Sequence, residues 1–257
     1  PAVHFLRRTK ELLEEQQYQV DTVHFALKTE TALARMEYCC GLFERSISRA
    51  DAIIKNARTD KEKVEAMHLK VKCLIQQRKP VSSLEVAMEG LTSFGVTYPR
   101  KFVKYQINRL FTKCKALLKN LSDEDVLNLP IAKEDRDQMA SDSLSWIGEI
   151  ALAFNGLDDH LTYCMLVALE ISIEKGRISM TGQALAAWGG LLAEQGLIEE
   201  AYRYGKLAME VADERYGGSL DDRVASLYYS WIHHLRHPYK EGVEPFSKTL
   251  KLMWGRG

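Results

Sequence analysis

The stretch from Gly182 to Asp213, GQALAAWGGLLAEQGLIEEAYRYGKLAMEVAD, sets small residues (Ala184, Gly189, Gly196, Ala201, Ala208) at regular steps among large apolar ones. Gly196, placed just past the first apolar-periodic run, suits the left-handed backbone that closes a helix. With Gly196 as the turn, Leu185, Trp188, Gly189 and Leu192 fall on the inner face of one helix, and Ala201, Tyr204 and Ala208 on the inner face of the next. Small residues let two backbones approach where the helices cross, and the aromatic ones fill the groove beside them. This is the packing logic of the tetratricopeptide repeat, whose period is about 34 residues.

Weaker copies of the frame occur upstream. Residues 66–94 put Met67, Val71 and Leu74 on a first helix, with Ser83 and Gly90 at the crossing positions of a second; residues 36–54 offer Gly41, Ser46 and Ile53. Gly41 resembles Gly196 as a turn residue, and Pro80 starts a helix where its missing N–H costs little. Period-2 strand patterns are absent, and the apolar periodicity predicts helices near 2–15, 19–40, 43–57, 60–78, 81–94, 100–120, 134–154, 158–175, 180–195, 198–215, 220–235 and 239–253. The expected fold is all-α, a tetratricopeptide-like α-solenoid of stacked antiparallel helix pairs over 1–257. The segment NLSDEDVLNLP, with Ser122 as helix N-cap and Pro130 as its end, predicts an acidic linker at 121–133 between sub-arrays 1–120 and 134–257.

The 257 residues carry 35 Lys+Arg against 35 Asp+Glu and are 46% hydrophobic, which argues against disorder and against a nucleic-acid binder. No apolar run approaches the ~18 residues of a membrane span. The N-terminal PAVHFLRRTKELLEE is amphipathic rather than a signal peptide, and its start within a helical pattern predicts a fragment of a longer chain. Five scattered cysteines (39, 40, 73, 114, 164) in apolar helical contexts predict reduced, buried thiols and a cytoplasmic protein; adjacent Cys39 and Cys40 are expected to pack in a helix interface.

Charge is segregated along the chain. Residues 100–119 hold seven basic side chains and no acid, and Arg100, Lys101, Lys104 and Arg109 are the candidate partner-binding residues. Val103, Ile107, Leu110, Phe111, Cys114, Leu117 and Leu118 supply that helix's apolar face. The alternative is a solvated face partly paired with the seven acids of 122–142. Without interleaved aromatic residues the pattern does not favour RNA.

His233, His234 and His237 in WIHHLRHPYKE resemble a metal cluster, since 233 and 237 share a helix face. Read without a Glu or Cys at ligand spacing, and with Pro238 ending the helix, they are instead expected to favour the helix dipole; no metal and no cofactor is expected. No phosphate-binding glycine loop, dinucleotide fingerprint, HExxH or selected Cys–His pair occurs, so no catalytic residue is assigned and the chain is not expected to be an enzyme.

The order ARMEYCCGLFERSISRADAIIKNARTDKEKVEAMHLKVKCLIQQRKPVSSLEVAMEGLTSFGVTYP, LLKNLSDEDVLNLP, ALAAWGGLLAEQGLIEEAYRYGKLAMEVADE and IHHLRHPYKEGVEPF resembles the helical region of very large signalling proteins. In those proteins an AAA-type ATPase module, often preceded by a Ser/Thr kinase-like domain, is followed by this array, then by a GAF domain and a histidine kinase or other output module. The resemblance spans roughly Val3 to Trp254, and the chain has His234 where family members tend to carry Trp. It implies a protein-interaction or regulatory scaffold. The alternative is a helical arm that senses a small effector and controls an attached ATPase or kinase. The partner would be a protein, a peptide or a neighbouring domain of the same polypeptide, met on a concave face of first helices.

Overall fold

The Gly41 turn belongs to a set that recurs along the described residues. In the computed structural model, which describes residues 20–99, 103–154, 156–215 and 222–255, the helices α1 (Val20–Cys39) and α2 (Phe43–Asn56) meet there. Leu42 N–H donates to the Glu37 carbonyl and Gly41 N–H to that of Tyr38, with Gly41 at φ 73°. These paired bonds satisfy carbonyls that the end of α1 leaves open. The same pair of bonds closes α3 (Asp60–Gln76), from Lys79 to Leu74 and Arg78 to Ile75; α4 (Pro80–Ser93), from Val96 to Leu91 and Gly95 to Thr92; and α9 (Thr181–Glu194), from Leu197 to Leu192 and Gly196 to Ala193. At three of the four sites glycine takes the left-handed position. At the end of α3, Arg78 takes it at φ 58°. Pro80 opens α4 at its first turn, as its missing N–H allows.

The described residues are all-helical and contain no strand, only an isolated bridge between Ile131 and Arg177. The remaining elements are α5 (Val103–Lys119), α6 (Asp123–Leu127), α7 (Asp135–Ala153), α8 (Asp158–Lys175), α10 (Ile198–Arg215), α11 (Asp222–Leu227) and α12 (Tyr239–Gly255). The helix expected at 2–15 lies outside the described residues.

The chain divides into two compact units. The first runs through Tyr98 and includes Trp146–Leu157; the second comprises Pro99–Ser145 and the chain from Asp158 onward. In the first, α1, α2, α3 and α4 pack as consecutive neighbours, and α1 also meets α3. Leu33, Met67, Val71 and Leu91 are buried there, as are Ser46, Ile53, Leu74, Ser83 and Gly90. Ser46 Oγ donates to the Ala34 carbonyl at 2.8 Å, which satisfies a hydroxyl where α1 and α2 cross. Arg49 reaches back from α2 to the buried carboxylate of Glu37 at 2.7 Å and to Glu30 at 2.6 Å. Trp146, 1% exposed, stacks on His68 at 5.1 Å between ring centroids.

In the second unit α9 packs on α8, α10 and α11, and every residue from Thr181 to Gly189 is buried. A helix apolar on all sides belongs inside. Its buried start still needs acceptors for its N–H groups. Neighbouring α7 supplies them: Ser141 Oγ accepts from Met180 N–H and Gln138 Oε1 from Ser179 N–H. Thr181 Oγ1 accepts from Ile178 N–H and shares a hydrogen bond with Ser172.

Residues 121–133 do not divide the units but lie within the second. Ser122 caps α6 as expected: its Oγ accepts from Asp125 N–H while the Asp125 carboxylate accepts from Ser122 N–H. Val126 is buried and α6 packs on α10. After Pro130 the backbone docks on 176–178, with Arg177 N–H donating to the Pro130 carbonyl at 2.6 Å and Ala132 N–H to that of Arg177. Gly176, at φ 113°, allows this approach, because a Cβ there would stand 2.5 Å from the Pro130 oxygen. Acidic composition suggested a seam; Val126 and the backbone pairing of 130–132 anchor the segment instead.

A second correction concerns the thiols. Cys73, Cys114 and Cys164 are buried, but Cys39 and Cys40 are exposed. The inward face of α1 carries Leu33, Ala34 and Glu37, and the next inward steps would be residues 40 and 41, where the helix has stopped. Residues 39 and 40 therefore project from its last turn.

Candidate functional site

The positions of the opening stretch are almost all buried: Leu185, Trp188, Gly189, Leu192, Ala201, Tyr204 and Ala208, with Gly196 exposed in its turn. A Cβ on Gly189 would lie 2.8 Å from the Ala201 carbonyl oxygen and 2.9 Å from Ile232 Cδ1. Gly205, which the spacing argument passed over, is as tight, with Ile232 Cγ2 at 2.7 Å. Two glycines, one on each helix, thus make a slot for Ile232. Trp188 packs on Phe111 of α5 at 4.6 Å and edge-on to Tyr204 at 6.4 Å.

Arg100 and Lys101 lie outside the described residues. Lys104 and Arg109 are exposed on α5, and Lys104, at 84% side-chain exposure, has Asp159 of α8 at 3.9 Å. The apolar side of α5 turns inward, with Cys114 and Leu118 fully buried. The partners found for its cations are on α8, not in the following acidic segment: Lys113 pairs with Glu170 and Glu174, which hold its ammonium well above the usual lysine range. Two of the acids of 122–142 are engaged elsewhere, Asp123 with Arg203 and Asp137 with Lys175 at 2.6 Å.

A denser constellation forms where α11 ends. Its helix widens into a π-turn over Tyr228–Ile232, with His233 N–H donating five residues back to the Tyr228 carbonyl. Ser230 sits in this turn, and its hydroxyl donates to the Ser226 carbonyl at 2.6 Å, competing with the main chain for an acceptor and bending the helix. The extra residue lets Ile232 enter the Gly189–Gly205 slot while His233 turns toward α12. A short 3-10 turn, His233–Leu235, follows, and Pro238 precedes α12.

The side chains gathered there are His233, His237 and Glu241, backed by Tyr202, Tyr228 and Tyr229. The rings of His233 and His237 stack at 4.7 Å and 7°. Tyr228 and Tyr229 meet His233 edge-on, and Gly242 leaves room for its ring, whose Cδ2 lies 2.9 Å from where a Cβ would be. His237 Nδ1 faces Glu241 Oε2 at 3.3 Å, and its Nε2 shares a hydrogen bond with Tyr202 Oη at 2.8 Å. Burial lowers the proton affinity of His233, with His237 and His234 adding to the effect and Glu241 opposing it. Both ring nitrogens of His233 are sealed from solvent and have no hydrogen-bond partner among the described residues. His234 takes another course, stacking on Tyr239 at 4.8 Å.

Glu241 corrects the reading that no carboxylate accompanies the histidines. The three ligand atoms of His233, His237 and Glu241 lie within 4.8 Å of one another. The spacing 233, 237, 241 is four and four, a signal visible in the sequence. Ending the helix at Pro238 cut Glu241 off from its partners. In the structure the coiling continues across the proline, from His237 N–H to the His233 carbonyl and from Glu241 N–H to the Pro238 carbonyl. Tyr202 could not be found this way, because only the packing of α10 brings it there.

In comparisons with protein-family models, curated proteins and solved structures, the chain matches none.

Proposed function

We propose that the chain is a non-catalytic interaction and regulatory scaffold, a tetratricopeptide-like α-solenoid segment of a multidomain signalling ATPase or sensor kinase working in the cytoplasm. The observation that carries the reading is the recurrence of one turn. Equivalent paired bonds close α1, α3 and α9 before the next helix, and the helices two places apart, α1 with α3 and α9 with α11, also touch. Helix pairs that share a turn and stack on their neighbours are the building unit of repeat scaffolds. Within a unit, the exposed side of such helices offers a surface for a protein or peptide. Lys104 and Arg109 give α5 a basic face suited to an acidic partner.

The mechanism is a bias between states: a partner that binds one arrangement of the helices better than another shifts the neighbouring module by that difference in affinity. The test is affinity capture with the chain and a variant reversed to Glu at Arg100, Lys101, Lys104 and Arg109, read by mass spectrometry. Loss of a specific partner on reversal supports the basic face. Unchanged regulation of the parent ATPase or kinase after deletion of residues 1–257 overturns the reading. The second reading, an effector-sensing arm, draws on the ring cluster of Tyr202, Tyr228, Tyr229 and His233, which resembles the aromatic lining of small-molecule sites.

A further inference from the structure

We propose that His233, His237 and Glu241 bind a single divalent transition-metal ion of the zinc class at the junction of the π-turn and α12.

Geometry is the first ground. The three donor atoms already lie within 4.8 Å of one another, on three successive coils of backbone. Around a tetrahedral ion with bonds of about 2.0–2.1 Å, neighbouring ligand atoms stand roughly 3.4 Å apart. Glu241 is exposed and bounded by solvent, so its side chain can swing without moving the main chain, and the stacked imidazoles of His233 and His237 turn about their own side-chain torsions to converge on the ion.

The second ground is independent of the spacing. His233 places both imidazole nitrogens out of reach of solvent and without a hydrogen-bond partner among the described residues. A buried polar atom without a partner is costly, and a ring of similar volume without nitrogens would fill the same space between Tyr228, Tyr229 and Gly242. An ion held by one of these nitrogens supplies the missing partner.

Third, the surroundings of His237 are those of a ligand. A metal-bound imidazole is oriented by a hydrogen bond from its other nitrogen. Tyr202 Oη, 2.8 Å from Nε2, takes that role and leaves Nδ1 facing Glu241. Arg236, adjacent to His237 in sequence, is drawn away to Glu199, its guanidinium lying over the Tyr202 ring.

The donor chemistry selects the ion. Two imidazoles and one carboxylate suit Zn2+, Cu2+ or Ni2+, whereas Ca2+ and Mg2+ need an all-oxygen shell. Three protein donors leave a fourth position to solvent. The ion ties the π-turn to the first turn of α12 across Pro238, and so fixes where α12 leaves the helix pair.

The experiment uses the full chain without a polyhistidine tag, stripped with chelator. Zinc binding is measured by calorimetry, and Co2+ spectra identify the ligands. The expected result is one ion per chain, bound at least about tenfold more weakly by His237→Ala and Glu241→Gln and unchanged by His234→Ala. Because Glu241 is exposed, Glu241→Gln keeps the fold, which circular dichroism verifies. The Co2+ spectrum is expected to show d–d bands without thiolate charge transfer. Absence of saturable binding overturns the proposal. So does equal binding by Glu241→Gln, or a thiolate band assigning the ion to Cys39 and Cys40.

Discussion

Gly189 and Gly190 are adjacent on one helix, and alanine should act on them with opposite sign. Alanine gains about 0.8–1.0 kcal/mol over glycine inside a helix, so an unopposed substitution stabilises. At Gly189 the new methyl would stand 2.8 Å from the Ala201 carbonyl oxygen, a backbone atom fixed by α10, and 2.9 Å from Ile232. Overpacking of this kind costs roughly 1–3 kcal/mol and more where backbone must shift. Gly189→Ala is therefore expected to lose about 1–2 kcal/mol net, which for a chain of this size lowers the melting temperature by roughly 2–8 °C. At Gly190 the nearest atom is Trp231 Cε3, 3.0 Å away on a side chain that is 43% exposed and can swing into solvent. The helix gain then dominates, and Gly190→Ala is expected to be neutral or up to about 1 kcal/mol more stable. Thermal unfolding and urea titration followed at 222 nm measure both. A Gly189→Ala chain as stable as the parent refutes the close crossing of α9 and α10, and with it the packing account of the small-residue steps.

Other substitutions test the remaining structural claims. Arg78→Gly should raise stability by about 0.5–1 kcal/mol in the same assays, because glycine adopts the left-handed turn without the strain of a side chain at φ 58°. Gly176→Ala should cost about 2 kcal/mol or more and speed hydrogen exchange at the Ala132 and Arg177 amides, since its methyl would meet the Pro130 oxygen at 2.5 Å. In the native chain two thiols, Cys39 and Cys40, should react with an aromatic disulfide reagent. Cys73, Cys114 and Cys164 should react only on unfolding, because burial raises all three thiols, Cys114 to about 12. Burial lowers the proton affinity of His160, with Asp159 opposing, so the unfolded chain takes up the proton first as the pH falls. Stability should hold above about pH 6.5 and decline below it as His160 is driven toward its charged form, with a shallower decline in His160→Gln.

Much of the helix inventory was legible because local physics writes it. Gly41 and Gly196 mark helix ends, Pro80 and Ser122 mark starts, and the 3.6-residue period of α9 and α10 marks their inner faces. These features depend on residues a few places apart, and each appears in the structure where the sequence put it. Arg78 was not legible, since nothing local distinguishes a strained arginine from a solvated one. Cys39 and Cys40 misled for a related reason: an apolar pattern gives a face, but where the helix stops decides whether the face is used.

The sequence by itself determined that this chain is helical, where most of its turns fall, and which residues of 182–213 face inward, because those properties follow from periodicity and capping. Tertiary structure decided which distant groups meet. It paired α5 with α8 across the intervening α6 and α7, and it sent Asp123 to Arg203 and Asp137 to Lys175. It also drew Tyr202 and Glu241 to the histidines after α11. Such contacts depend on how helices with similar apolar stripes choose among neighbours, a choice made by side-chain volume at the crossings and invisible in any one stripe.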